Sequence, residues 1–512
     1  MLGSILGRIG LAVGRQATLA TIMDDLVALH GDRVMVSEHR SGRVLTYRAA
    51  GEVVARWSAG VARRTEPGDP VVVAMPNGYD QFLMCLAVAR AGRLPAPVND
   101  QMRPVEIEHV TIDAGASLVI RSSRQLRGVA PVPDPPAPSP GDVGALFYTS
   151  GTTGSPKGAA LTHRALVGAW APAALWPAPL RDDEVVAALP VAHIMGFVVY
   201  LGLAVAGIRC YCLEQFKPVE VLEVLEARRS TGFIGVPAMY RRLLEAGAAD
   251  RDLSSVRVWG SGADAMPEDL VREFKRFGAI AELPIVGPIG EASFVEGYGM
   301  VEVGGGVAVR VSPPSMPLGV LSNVAVKIPG YRFRVVDERG RSVPMGAVGE
   351  LWVKGPGVLR EYWGDPDATA DTLTPDGWLR TGDLVRRGPL GTIVFQGRRK
   401  QVIKSGGYSV YPLEVEAVLE EHPDVVEASV VGVPDDVLGE VPVAAVRFRP
   451  GSPTSPEELL EHARARLSRY KAPRRVVPVD ELPRTGSGKV QKDRLVDLFG
   501  ELPPHDELVQ DG

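Results

Sequence analysis

Between Asp69 and Ser122 the apolar positions fall into two kinds of run. "PVVVAMP", "RLPAPVN" and "SLVIRS" are short and bounded by turn residues, whereas "YDQFLMCLAVARAG" and "PVEIEHVTIDAG" have helical length and end in glycine. Strands alternating with helices predict βαβ units, hence an α/β fold with a parallel sheet covered by helices. The most apolar run, Ile194 to Ile208, falls short of the roughly 20 residues a membrane span needs and predicts a buried helix. At the N-terminus Leu2, Ile5, Leu6, Ile9 and Val13 keep helical spacing beside Arg8 and Arg15, without a signal-peptide cleavage pattern. They predict a helix packed on the body of the protein; a weak membrane-surface contact is the alternative. From Tyr331 to Gly355 the pattern changes to short strands and turns, a β-rich antiparallel module. After "GRRKQVIKSGGYSVYP" come a helix from Leu413 to Glu421, the strands "VVEASVVGV" and "VPVAAVRF", the helix "PEELLEHARARLS" and the strand "RRVVPVD". This set predicts a small α+β domain, so the chain divides into a large domain 1–396 and a small one 397–512.

Composition narrows the function classes. Of 512 residues, 45% are hydrophobic and 23% charged, the balance of a soluble globular chain of two or more domains. A net charge of −5 gives no reason to expect nucleic acid as a partner. The three cysteines, Cys85, Cys210 and Cys212, form no disulfide framework and have no neighbouring cluster of metal-ligating residues. They read as buried small hydrophobes in a reducing, cytoplasmic setting. The six basic residues between Arg464 and Arg475 read as a solvated helix face, with contact to a CoA phosphate as the alternative.

Candidate chemistry begins with "YTSGTTGSPKG", Tyr148 to Gly158, which follows the apolar "ALF". It is not a P-loop, because Pro156 stands where the second glycine belongs; "GSGKV" near the C-terminus fails as well, with Pro483 in the first glycine's place. Its glycines nevertheless let backbone N–H groups approach an anion, its hydroxyls add donors, and Lys157 adds a charge.

The whole string resembles the phosphate loop of the adenylate-forming superfamily, which includes acyl-CoA synthetases, luciferase and peptide-synthetase adenylation domains. Four further stretches resemble that family's motifs in order: "EGYGMVE" (Glu296 to Glu302), "RTGDL" (Arg380 to Leu384), "GRRKQVIKSGGYSVYP" (Gly397 to Pro412) and "PRTGSGKVQK" (Pro483 to Lys492). The resemblance runs from about Asp25 to Asp497. It implies a large N-terminal domain of several subdomains, a mobile C-terminal domain, and a two-step reaction. A carboxylate attacks the α-phosphorus of ATP, and a thiol then displaces AMP from the acyl-adenylate.

The resemblance also implies roles. Thr149, Ser150, Gly151, Thr152, Thr153, Gly154 and Lys157 would hold the β- and γ-phosphates. Glu302 would bind Mg²⁺, Tyr298 and Gly299 would face adenine, and Gly262 and Ala263 of "GSGADA" would form the neighbouring wall. Asp383 would accept both ribose hydroxyls, with Arg398 on ribose or phosphate. Lys489 would bridge carboxylate and α-phosphate during adenylation. Lys400 occupies the hinge position, Lys404 would serve the second step, and Gly406 and Gly407 would let the pantetheine arm of CoA pass. His193 would gate the acyl pocket. Val301 departs from the pattern, which has threonine there.

Gly304 and Gly305 behind Glu302, and the apolar "AELPIVGPIGEASF" before the motif, are expected to leave a roomy acyl pocket. The expected activity is therefore ATP-dependent ligation of a medium- or long-chain fatty acid to CoA. A bulky aryl acid fits as well. A stand-alone ligase loading a carrier protein and an AMP-binding pseudoenzyme are the alternatives.

Overall fold

The computed structural model describes residues 2–14, 16–126, 138–149, 156–177, 181–283, 285, 287–314, 325–485 and 489–499. They divide into two compact units, Met1–Arg332 with Val353–Leu379, and Phe333–Trp352 with Arg380–Gly512. The expected boundary at 396/397 falls inside the second unit, on the strand Ile393–Arg398.

In the first unit the described residues form a nine-stranded sheet. Its order is Val326–Lys327, Gly305–Ser312, Ser293–Met300, Val258–Gly262, Gly232–Gly235, Glu184–Ala187, Arg209–Cys212, Val34–Glu38 and Val44–Thr46. From Ser293–Met300 to Val34–Glu38 every neighbour is parallel. These strands therefore end at a common edge, where open α/β sheets bind ligands. A separate parallel sheet pairs Pro70–Val73 with Leu94–Pro97 and Leu118–Ile120, and the helices Tyr79–Arg90 and Pro104–Ala114 connect them as the alternation predicts. Ile194–Ala206 is a buried helix capped by Gly207 in the left-handed conformation. Cys210 and Cys212 are buried on one face of their strand, and Cys85 is buried in its helix. No described helix is long and apolar enough to cross a membrane.

The N-terminal helix Leu2–Gly14 turns its arginine inward. Arg8 is 6% exposed and donates to the carbonyls of Ala174 at 3.0 Å and Trp176 at 2.8 Å, while Leu6, Ile9 and Val13 face solvent.

The second unit holds a four-stranded sheet, Arg332–Val336, Val348–Lys354, Leu379–Arg387 and Ile393–Arg398. It also holds a five-stranded sheet in which Val425–Asp435 and Gly439–Phe448 form a long antiparallel pair. The helices Pro412–Glu420 and Pro456–Arg464 bury Val415, Leu419, Leu459 and Ala463 against that sheet. The second of these helices ends at Arg464. Most of the basic run therefore lies on turns rather than on a helix face.

The apolar stretch before the second motif is partly exposed and partly buried, with Ala292 and Phe294 in the core. Ala281–Leu283 and Gly287–Ile289 form an antiparallel two-stranded ribbon on which Ile280, Ile285 and Ile289 are exposed. Ile285 sits at its tip with a φ of +76°.

Candidate active site

The glycine-rich loop spans an antiparallel hairpin. Val143–Tyr148 pairs with Gly158–Thr162 in a register that sets Tyr148 opposite Gly158. A Cβ on Gly158 would lie 3.0 Å from the Tyr148 ring, so glycine permits that pairing. Ser150, Gly151, Thr152, Thr153 and Gly154 lie outside the described residues. At the neck, the Thr149 amide donates to the Lys157 carbonyl at 3.0 Å, which fixes where the loop leaves and re-enters.

A third, short strand, Glu361–Tyr362, lies along Gly158–Thr162, and Tyr362 and the following helix cap Asp365 meet Lys157. Lys157 Nζ lies 3.2 Å from Asp365 Oδ2 and 5.7 Å above the Tyr362 ring. The Tyr362 hydroxyl donates to Glu302 Oε1 at 2.8 Å. Asp365 also caps the helix Pro366–Thr372 by accepting from the Ala368 amide at 2.8 Å. That cap bond first, and Lys157 second, hold its carboxyl below the usual carboxylate range. Burial, followed by the adjacent Glu302 carboxylate, pushes the Tyr362 phenol up, so it remains a donor. Lys157 and Glu302 were both expected in the site, and the structure joins them. Tyr362 and Asp365 were missed. "DP" in "YWGDP" reads as a helix cap followed by proline at the first helical position, but nothing in that string points to Lys157.

No cluster of three or more metal-ligating side chains occurs among the described residues. Glu302 fits a divalent ion that draws its remaining oxygen ligands from phosphate and water, the habit of Mg²⁺. Its Oε1 is engaged by Tyr362, and an ion would use the second oxygen.

Glu302 follows the strand Ser293–Met300 on a turn closed by the Gly304 amide bonding to the Val301 carbonyl at 3.0 Å. Tyr298 pairs with Ala308, and the register shifts just after it. Gly299 has no room for a Cβ, which would collide with the Gly305 carbonyl. Gly304 and Gly305 are held by local packing. Their φ angles are +65° and +119°, and a Cβ would come within 2.7 Å of the Ala165 carbonyl oxygen and 3.2 Å of Val198 respectively. Backbone conformation and close packing therefore favour glycine at both positions.

Beside this strand, Val258–Gly262 ends with Gly262 opposite Gly297. A Cβ on Gly262 would meet the Gly297 oxygen and the Met195 methyl at 3.3 Å. Ala263 follows with a φ of +69°, a conformation that costs a non-glycine residue about 1–2 kcal/mol. Such strain persists where surrounding structure imposes it, commonly at ligand sites. His193 caps the helix Ile194–Ala206, its Nδ1 accepting from the Met195 amide at 3.3 Å. The same cap seats Met195 against Gly262.

In the second unit, antiparallel pairing sets Asp383 opposite Arg398. Asp383 is 2% exposed, and Arg398 Nε lies 3.1 Å from its Oδ1. Gly382, at a φ of +70°, donates its amide to Glu350 Oε1 at 3.1 Å, and Arg399 holds the other Glu350 oxygen at 3.0 Å. Lys400 is exposed on the turn Arg399–Gln401. Lys404 Nζ donates to Ser409 Oγ at 2.9 Å across the hairpin of Ile403–Ser405 and Tyr408–Val410. Gly406 and Gly407, with φ of +54° and +82°, make its two-residue turn, which needs positive φ at both positions. The Lys489 amide donates to Thr485 Oγ1 at 3.2 Å, and its carbonyl accepts from the Thr485 amide at 2.8 Å.

Comparison with known proteins places these features in a known context. The model of the AMP-binding enzyme family matches residues 23–363, and that of the AMP-binding enzyme C-terminal domain matches residues 414–489. The chain is 34% identical to a feruloyl-CoA synthase of Amycolatopsis sp, with 90% of this chain and 95% of that protein covered. It is 33% identical to the fatty acid–[acyl-carrier-protein] ligase ScoC of Streptomyces coeruleorubidus, with 90% and 92% covered. ATP-bound MatB from Rhodopseudomonas palustris superposes with a TM-score of 0.81 at 27% identity, over 94% of this chain and 99% of that one.

Proposed function

Because the chain belongs to the adenylate-forming superfamily, in its acyl-CoA synthetase branch, we propose that it is an AMP-forming acid–CoA ligase acting on an apolar carboxylic acid. In the first step a carboxylate oxygen attacks the α-phosphorus of ATP, and the bond to pyrophosphate breaks. In the second, the CoA sulfur attacks the acyl carbon, AMP leaves, and the thiol proton is lost.

The observation that carries this reading is the single network joining Lys157, at the neck of the glycine-rich loop, to Glu302 through Tyr362. It offers a cation and a carboxylate to one polyphosphate. Mg²⁺ held by Glu302 would neutralise phosphate charge. Lys157 and the loop amides bind the β- and γ-phosphates, Tyr298 faces adenine beside Gly262, Ala263 and Gly299, and Asp383 takes the ribose hydroxyls with Arg398 at hand. Lys489 stabilises charge as the carboxylate attacks, where a fixed cation is worth most. His193 gates the acyl site, and Lys400 is the hinge about which residues 397–512 turn between steps.

Met195 and Val198, on one helix, abut Gly262 and Gly305 and support an apolar substrate. A medium- or long-chain fatty acid is our reading; the feruloyl-CoA synthase relative favours an aryl acid as the second. CoA is the proposed acceptor. Tyr408, directly after the Gly406–Gly407 turn, stacks on Tyr470 of the basic run at 4.5 Å between ring centroids and is 58% exposed, offering a purine an aromatic surface beside cations. A carrier protein is the alternative acceptor, favoured by the ScoC relative. A cytoplasmic setting accords with Cys85, Cys210 and Cys212 all being buried free thiols.

The test is CoA-dependent AMP release from MgATP across acids from acetate to long-chain and aryl acids, with Lys489→Ala as control. A peak at one substrate class, lost in the variant, supports the ligase and names its acid. Pyrophosphate exchange without AMP release would turn the acceptor to a carrier protein. Loss of both for every acid would favour an AMP-binding pseudoenzyme, whose support is Val301.

A further inference from the structure

Resting on that reading of the nucleotide site, we propose that Tyr362 and Asp365 are positioning residues that hold the phosphate lysine and the metal carboxylate ready before ATP arrives. Both come from one short segment, the strand Glu361–Tyr362 and the cap of the helix Pro366–Thr372, and act on different partners. Tyr362 donates to one oxygen of Glu302, which limits rotation of the carboxylate and leaves its other oxygen for an ion. Asp365 holds Lys157 at 3.2 Å, and the Tyr362 ring lies beneath the same ammonium at 5.7 Å. The pair is half-exposed, with side-chain exposures of 48% and 38%, so it is weak enough for a polyphosphate to displace. Asp365 is meanwhile anchored by its cap bond to Ala368 and cannot follow the lysine. Binding of ATP thus exchanges one ion pair of Lys157 for another. Asp365 competes with phosphate, whereas Tyr362 assists the metal.

The opposite signs make the idea testable on the full chain. Asparagine caps a helix as well as aspartate does, and phenylalanine keeps the Tyr362 ring, so both variants should retain the wild-type melting temperature. Calorimetry of ATP binding without acid should show Asp365→Asn tightening the complex about threefold, the scale of a partly exposed ion pair. In a Lys157→Ala background the same change should have no effect. Mn²⁺ binding to the enzyme–ATP complex, read by paramagnetic relaxation, should weaken about tenfold in Tyr362→Phe, the usual effect of losing a group that orients a metal ligand. Unchanged or weaker ATP binding in Asp365→Asn, tightening that persists without Lys157, or unmoved Mn²⁺ affinity would each overturn the proposal. Were the wild type itself to bind no ATP, the nucleotide site and this inference would fall together. Wild-type binding with unmoved variants overturns the inference alone.

Discussion

At the scale of single residues, Gly304 and Gly306 separate two uses of glycine in one short run. An alanine methyl at Gly304 would lie 2.7 Å from the Ala165 carbonyl oxygen, at a φ of +65°. The left-handed conformation alone costs about 1–2 kcal/mol, and the clash with backbone adds to it. Gly306 has no left-handed φ, and the nearest neighbour of a Cβ there would be the flexible end of Ile328 at 3.6 Å. We expect Gly304→Ala to lose more than about 2 kcal/mol in urea denaturation and Gly306→Ala to stay within about 1 kcal/mol. Equal losses would refute the packing account. The sequence shows three consecutive glycines and invites the idea of open space. What would meet a Cβ at Gly304 and Gly305 is set by Ala165 and Val198, more than a hundred residues away, and no local pattern reports them. Lys157 and Glu302 were singled out by another route: each sits in a string that resembles a motif of the adenylate-forming family.

At the scale of elements, the hairpin of Val143–Tyr148 and Gly158–Thr162 is anchored at its far end by His163. This side chain is 4% exposed, and its Nδ1 accepts from the Leu19 amide at 3.1 Å. Burial lowers its pKa to about 4 against the opposing pull of Asp142. His30, beneath the N-terminal helix, is likewise lowered to about 4, by burial and then by Arg8. Both are neutral in the folded protein and protonate near 6.5 when unfolded. Their contribution is therefore intact above pH 6.5 and is lost as pH falls from 6.5 toward 4, about 3 kcal/mol for each group at the end of that window. The melting temperature should decline through this range, and His163→Gln, which keeps an acceptor for Leu19, should flatten the decline. An unchanged slope would assign the acid sensitivity elsewhere. Elements with a strong period, such as the βαβ series of residues 70–120 and the two long strands of the C-terminal sheet, were readable from the chain. The ribbon of residues 281–289 was not. Ile285 and Ile289 there face solvent, and hydropathy alone reads such residues as core.

At the scale of the whole molecule, the reaction's candidate residues belong to two units. Lys157, Tyr298 and Glu302 lie in the first, and Asp383, Lys404 and Lys489 in the second. Within the second unit the two lysines sit on different elements, Lys404 on a hairpin strand and Lys489 at a loop held by Thr485. A reaction of two steps can use them in turn. Lys489→Ala should lower acid-dependent pyrophosphate exchange by about a hundredfold or more, the effect of losing one charge-stabilising group, yet still pass a supplied acyl-adenylate to CoA. Lys404→Ala should do the reverse, keeping exchange while losing CoA-dependent AMP release. Replacing Lys400 by proline, on the exposed turn expected to be the hinge, should resemble Lys404→Ala, because a stiffened turn obstructs passage from the first step to the second. Parallel loss of both half-reactions in Lys404→Ala and Lys489→Ala would mean that one arrangement serves both steps. In that case the division of the chain would have a structural origin and the hinge reading of Lys400 would fail.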